Sequence, residues 1–152
     1  MRVEQAEVLQ MSLVNILIVD DYEPWRHFVV NKLQTLAGVR VAGVAFDGMD
    51  ALQKAKELQP DLILLDLCLP RLNGLEVAEL IAEIVPGCKI LFVSDTADAE
   101  VVQDTFRAGG CGYVLKSDAG RDLVAGIDAV LLGEKFVSRG IARCANPADS
   151  EN

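Results

Sequence analysis

Short apolar runs alternate along this chain with stretches whose apolar residues recur every three or four positions. With the polar residues that close them, the runs cover residues 15–21, 39–44, 61–66, 89–94 and 112–116. Between them, Trp25, Phe28, Val29, Leu33 and Leu36 follow Pro24 at helical spacing and stop at Gly38. Ala51, Leu52, Ala55 and Leu58 follow Asp47-Gly48 and stop before Pro60. Val77, Leu80, Ile81 and Ile84 predict a third helix with those four residues inward, ended by Pro86-Gly87. A thinner set, Val101, Val102 and Phe106, predicts a helix near 98–108, closed by Gly109-Gly110. Leu123, Val124, Ile127, Val130 and Leu131 predict a last helix that ends at Gly133.

Five strand–helix units with short connections imply a parallel sheet covered by helices on both faces, because right-handed crossovers leave few alternatives. The expected fold is α/β, a flavodoxin-like doubly wound (βα)5 with strand order 2-1-3-4-5. Its topological switch point lies between strands 1 and 3, where ligands bind in such sheets. Residues 1–12 are expected to be a flexible extension, 13–133 the domain, and 134–152 a polar tail or shortened linker.

Composition narrows the function. The 152 residues are 51% apolar but only 5% aromatic, so aliphatic side chains must build the core. A net charge of −9 argues against nucleic-acid binding by this chain alone, which needs a surplus of Lys and Arg on one face. No apolar run approaches the roughly 18 residues of a membrane span, and the N-terminus has no signal-peptide core. A cytoplasmic protein with no membrane partner is expected. Cys68, Cys88, Cys111 and Cys144 lack metal-ligand spacing and are expected to be reduced, mostly buried thiols.

The chemistry lies at the strand ends. Asp20 and Asp21 close the first run, Asp66 the third, Ser94 the fourth and Lys116 the fifth. Carboxylates packed together repel one another unless a cation offsets them. Oxygen-only ligands suit Mg²⁺, which takes one or two carboxylates and bridges to phosphate. With that cation bound, an aspartate oxygen can attack a phosphoryl donor, while a lysine and a hydroxyl clamp the remaining phosphoryl oxygens. Any one of these residues alone is more often a turn or cap; four strand ends in order make the pattern specific.

Val19-Asp20-Asp21, Asp66 with Pro70 and Gly74, Ser94, and Tyr113 with Lys116 resemble the receiver domain of bacterial two-component response regulators. Residues 112–118 and 133–138 are similar to the subfamily whose receivers precede a helix-turn-helix output domain. The resemblance implies that Asp66 is the phosphoacceptor. It implies Mg²⁺ on Asp21, Asp66 and the backbone carbonyl of Cys68, with Asp20 acting through water. Ser94 and Lys116 would bind phosphoryl oxygens, and Tyr113 with Ser94 would form the switch. The implied partners are a histidine kinase or phosphotransfer protein and, through the output face, a second copy of the chain. It implies a signalling domain that is not a turnover enzyme, either standing alone or regulating a DNA-binding transcription factor. Asp95 beside Ser94 and the side chain of Cys68 depart from the usual pattern, and His27 is expected on the surface.

Two other classes share parts of this signature. A Mg²⁺-dependent phosphatase or phosphotransferase of the aspartyl-phosphate type needs a second acid two residues past its nucleophile, where this chain has Cys68. A flavin carrier shares the fold, but its phosphate loop would be repelled by Asp21 and Glu23.

Overall fold

All the predicted strands are present and parallel in the computed structural model, which describes residues 13–144. They are β1 (Val14–Val19), β2 (Val39–Ala45), β3 (Leu62–Leu65), β4 (Lys89–Ser94) and β5 (Gly112–Leu115). The helices between and after them are α1 (Glu23–Gln34), α2 (Gly48–Leu58), α3 (Gly74–Ile84), α4 (Ala99–Arg107) and α5 (Ala119–Leu131). A 3₁₀ turn, Lys116–Asp118, joins β5 to α5. The sheet order is β2-β1-β3-β4-β5-β6, the expected arrangement with one strand, β6 (Phe136–Val137), added.

Both faces of the sheet are buried, which is why the strands are continuous apolar runs rather than alternating ones. The pleat still sorts them. Leu17, Val19, Ile63, Leu65, Phe92 and Tyr113 face one layer with Ala51, Ala55, Val77, Ala78, Ile81 and Val102. Ile16, Ile18, Leu62, Leu64, Leu91 and Val114 face the other, with Val29, Leu33, Leu123, Ile127 and Val130. Thus α2, α3 and α4 cover one side, and α1 and α5 the other.

In α3 the inward stripe differs from expectation. Gly74, Val77, Ala78 and Ile81 are buried, whereas Leu80 and Ile84 are 37% and 36% exposed. The true stripe includes a small alanine, and the larger side chains flank it. The helix starts with a reciprocal capping box between Asn73 and Glu76. Gly74 matters for the strand end: a Cβ there would lie 2.4 Å from the Asp66 carbonyl oxygen. A side chain at 74 would push the β3 terminus out of place.

Secondary structure continues past residue 133, in the segment expected to be a polar tail or shortened linker. A two-residue strand, β6 (Phe136–Val137), pairs with β5 and is followed by helix α6 (Arg139–Cys144). The Ser138 N–H donates to the Tyr113 carbonyl at 3.0 Å, and Ser138 Oγ accepts from the Leu115 N–H at 2.9 Å. Ser138 and Ile141 are both fully buried. Two strand residues are too few to show alternation, and Ser138, Arg139 and Gly140 separate them from Ile141 in sequence.

The expectation of mostly buried thiols is also corrected. Cys68 is exposed and Cys88 and Cys111 are half-buried, all three free. Cys68 lies three residues beyond β3, just after Leu67, the last buried residue of that run. The Cys88 thiol is pushed up to about 12 by burial, with the charge of Asp61 and then Cys111 adding to it. Its thiolate is therefore not populated near neutrality. The extension 1–12 and residues 145–152 lie outside the described residues.

Candidate functional site

The strand-end residues converge. β1 and β3 are adjacent, with Val19 opposite Leu65, so the residues that follow them meet at the switch point. One oxygen from each of Asp20, Asp21 and Asp66 lies within 4.8 Å of the others. Asp20 and Asp66 are buried, 1% and 6% exposed, and Asp21 is exposed. β4 and β5 bring Ser94 and Lys116 to the same end of the sheet. A cleft of about 500 Å³ is lined by Asp21, Tyr22, Asp66, Cys68, Ser94, Asp95, Thr96 and Lys116.

The two buried acids are held by backbone. The Asp66 N–H donates to the Val19 carbonyl at 3.0 Å, and the Asp20 N–H to that of Ala45 at 3.1 Å. Asp20 Oδ1 accepts from the Tyr22 N–H at 2.8 Å. Arg26, from the first turn of α1, donates to the Asp20 carbonyl at 2.8 Å while its guanidinium lies 4.2 Å above the Phe46 ring. Lys116 Nζ sits 2.7 Å from Asp20 Oδ2 and 3.8 Å from Asp66 Oδ2.

The electrostatics of this arrangement are unbalanced. Burial, followed by the charge of Asp20, raises the Asp66 carboxyl from 3.8 to about 6, while Lys116 and the Cys68 N–H pull the other way. One ammonium does not neutralise three carboxylates. Burial alone would lower the Lys116 pKa, but Asp20 and Asp66 outweigh it and hold the ammonium above its ordinary range. Asp20 Oδ2 is buried, and the group that meets it is the Lys116 ammonium, in a charge-assisted contact. Three carboxylates with oxygens within 4.8 Å of one another, and a single ammonium beside them, fit a hard cation that takes carboxylate and water ligands.

Behind the cleft, Tyr113 is fully buried, and its hydroxyl donates to the Thr96 carbonyl at 2.8 Å. Burial raises its pKa above the ordinary tyrosine value. Ser94 is 2% exposed, and its Oγ accepts from the Thr96 N–H at 3.3 Å. Thr96 therefore joins Ser94 to Tyr113, a role that no local signal in the sequence announces. Asp95 lines the cleft mouth, so its charge does face the site. His27 is exposed on α1, near Glu23, away from this cluster. Among the described residues, no helix is long and apolar enough to cross a membrane.

Comparison with known proteins agrees with this geometry. The family profile of the response regulator receiver domain matches residues 16–128. Response regulator GacA of Pseudomonas viridiflava is 30% identical over 131 residues, which cover 86% of this chain and 61% of that protein. Transcriptional regulatory protein LnrK of Bacillus subtilis is 31% identical over 121 residues, covering 80% of this chain and 55% of the relative. The chain thus spans about three-fifths of such relatives. A LuxR-family two-component response regulator from Aurantimonas sp. SI85-9A1 superimposes with a TM-score of 0.86 at 29% identity, covering 91% of this chain and 99% of that one. The receiver domain of the NarL regulator of Mycobacterium tuberculosis gives 0.71 at 29% identity, covering 77% and 95%. These matches lend no support to the phosphatase alternative, whose second acid is replaced by Cys68. With its doubly wound sheet and acidic switch point, the chain belongs to the response regulator receiver domain family.

Proposed function

We propose that Asp66 accepts a phosphoryl group from a histidine kinase or phosphotransfer protein. The observation that carries this assignment is the state of Asp66 itself: a buried carboxylate at the switch point, resisted by its neighbours and faced by Lys116. An oxygen of Asp66 forms the new P–O bond as the donor's P–N bond breaks, and the bonding pair leaves on the imidazole nitrogen. Asp21, Asp66 and the Cys68 carbonyl would hold Mg²⁺, with Asp20 acting through water. The ion supplies charge neutralisation at the equatorial phosphoryl oxygens. Lys116 and Ser94 bind the remaining oxygens. Loss of the group to water returns Asp66 without making the chain a turnover enzyme.

Proton and metal compete for Asp66. At limiting Mg²⁺, labelling by acetyl phosphate is expected to fall as pH drops from 7.5 through about 6, the pKa of the metal-free carboxyl. Excess Mg²⁺ should restore it, because only the ionised form binds the cation. Replacing Asp21 with Ala should raise the Mg²⁺ requirement at every pH. Labelling of wild type that ignores both pH and Mg²⁺ would count against the assignment.

The switch we assign to Ser94 and Tyr113 runs through Thr96 and ends at β5. Phosphorylation would draw Ser94 inward, letting Tyr113 and α4 move. Lys135 Nζ lies 5.3 Å from the Phe106 ring centroid, so α4 also touches the C-terminal segment. We assign a homodimer to the α4–β5–α5 face, with β6 and α6 forming its outer edge. Nucleic-acid contacts by longer relatives would come from segments other than this acidic one. Addition of a beryllofluoride mimic should shift amide resonances in α4, β5 and β6, well beyond the cleft. Shifts restricted to the cleft residues would dismiss this switch.

A further inference from the structure

Lys116 is enclosed on three sides, and only two of them belong to the acidic cluster. Its Nζ lies 2.7 Å from Asp20 Oδ2 and 3.8 Å from Asp66 Oδ2. On the third side is the ring of Trp25, whose centroid is 5.2 Å from the ammonium. Trp25 is the chain's single tryptophan and stands half-buried at the start of α1. Packing explains part of its presence, since it joins the α1 layer and tilts against Phe28 at 5.1 Å. A leucine would serve that purpose too. Only an aromatic face attracts an ammonium through its quadrupole, and indole does so best.

We propose that Trp25 is a positioning residue that holds Lys116 against Asp20 in the metal-free protein, so that Mg²⁺ must displace Lys116 as it loads. The inference rests on the Mg²⁺ reading of the site given above. The contact of Lys116 with Asp20 Oδ2 is charge-assisted, and the ammonium gives it up only where a divalent ion takes over the carboxylate's charge. A divalent ion and its waters need the space beside that oxygen, and two cations so close repel. The direction left open to the ammonium is toward Asp66, already 3.8 Å away, where the phosphoryl group would arrive. Metal loading thereby delivers Lys116 to its place of work and withdraws it from the indole.

Mg²⁺ titration of the full chain tests this, followed by calorimetry and by Trp25 emission. Wild type should bind with a change in emission as the ammonium leaves the ring. Trp25→Leu should bind Mg²⁺ about two- to five-fold tighter, the factor expected for losing one partly exposed cation–π contact. Trp25→Phe should fall between the two. Lys116→Met, which keeps the indole, should bind tighter than wild type and lose the emission response; it carries the test if Trp25→Leu fails to fold. Equal affinities for wild type and Trp25→Phe and Leu, or an undiminished emission change in Lys116→Met, would overturn this inference alone. No binding to wild type or to Lys116→Met would overturn the metal reading and this inference with it.

Discussion

Asp66→Asn is expected to abolish phosphoryl uptake and, in the metal-free protein, to make the fold more stable. The first effect follows from removing the nucleophilic oxygen: an amide does not form the acyl phosphate. The second follows from linkage. A carboxyl whose folded pKa of about 6 lies above its ordinary 3.8 is a charge that the fold resists. Its cost is full above about pH 6, shrinks as pH falls, and vanishes below about 4, where both states hold the proton. Each pKa unit corresponds to about 1.4 kcal/mol, so the gain at pH 7.5 is at most about 3 kcal/mol. Asparagine keeps the shape and removes the charge, and Lys116 retains Asp20 as its partner. Urea midpoints at pH 7.5 and pH 4.5, without Mg²⁺, should show a clear gain at the higher pH and a small one at the lower. Persistent labelling of the Asn variant would remove Asp66 as acceptor, and an unchanged midpoint at pH 7.5 would remove the strain.

The strand ends were legible because burial on both faces writes each strand as an unbroken apolar run. A charged or hydroxyl residue at its end then stands out. Asp20, Asp66, Ser94 and Lys116 needed no knowledge of contacts to be singled out; their meeting follows from the order of parallel strands. What stayed hidden depends on contacts between elements. In α3 nothing local says that Ala78 is inside and Leu80 outside, because the outcome depends on how closely the helix lies on the sheet. The positions of Trp25 over Lys116, Arg26 at the Asp20 carbonyl and Thr96 beneath Tyr113 depend on how separate units pack. Cys68 misled because it follows an apolar run, while burial extends only as far as Leu67, one residue before it.

The C-terminal segment supplies the second large effect. Ile141 is fully enclosed, in the same core layer as Tyr113 and Leu115, although it follows a stretch of Ser, Arg and Gly. Leu132, at the end of α5, is apolar too, but 76% exposed. Sequence hydrophobicity ranks the two alike; burial separates them. Ile141→Ala removes buried methyl groups and leaves a cavity beneath α6, at a cost of about 2–4 kcal/mol. Leu132→Ala should cost about 0.5 kcal/mol or less, because nothing is withdrawn from the core. The loss at Ile141 should spread, since Ser138 ties the segment to β5 through the Tyr113 carbonyl and the Leu115 N–H, one residue before Lys116. Amide exchange should therefore quicken in β5 of the Ile141→Ala protein, while β1 and β3 keep most of their protection relative to it. A variant as stable as wild type, or exchange that quickens only from residue 136 onward, would show that α6 rests on the domain without supporting the strand that ends at the site.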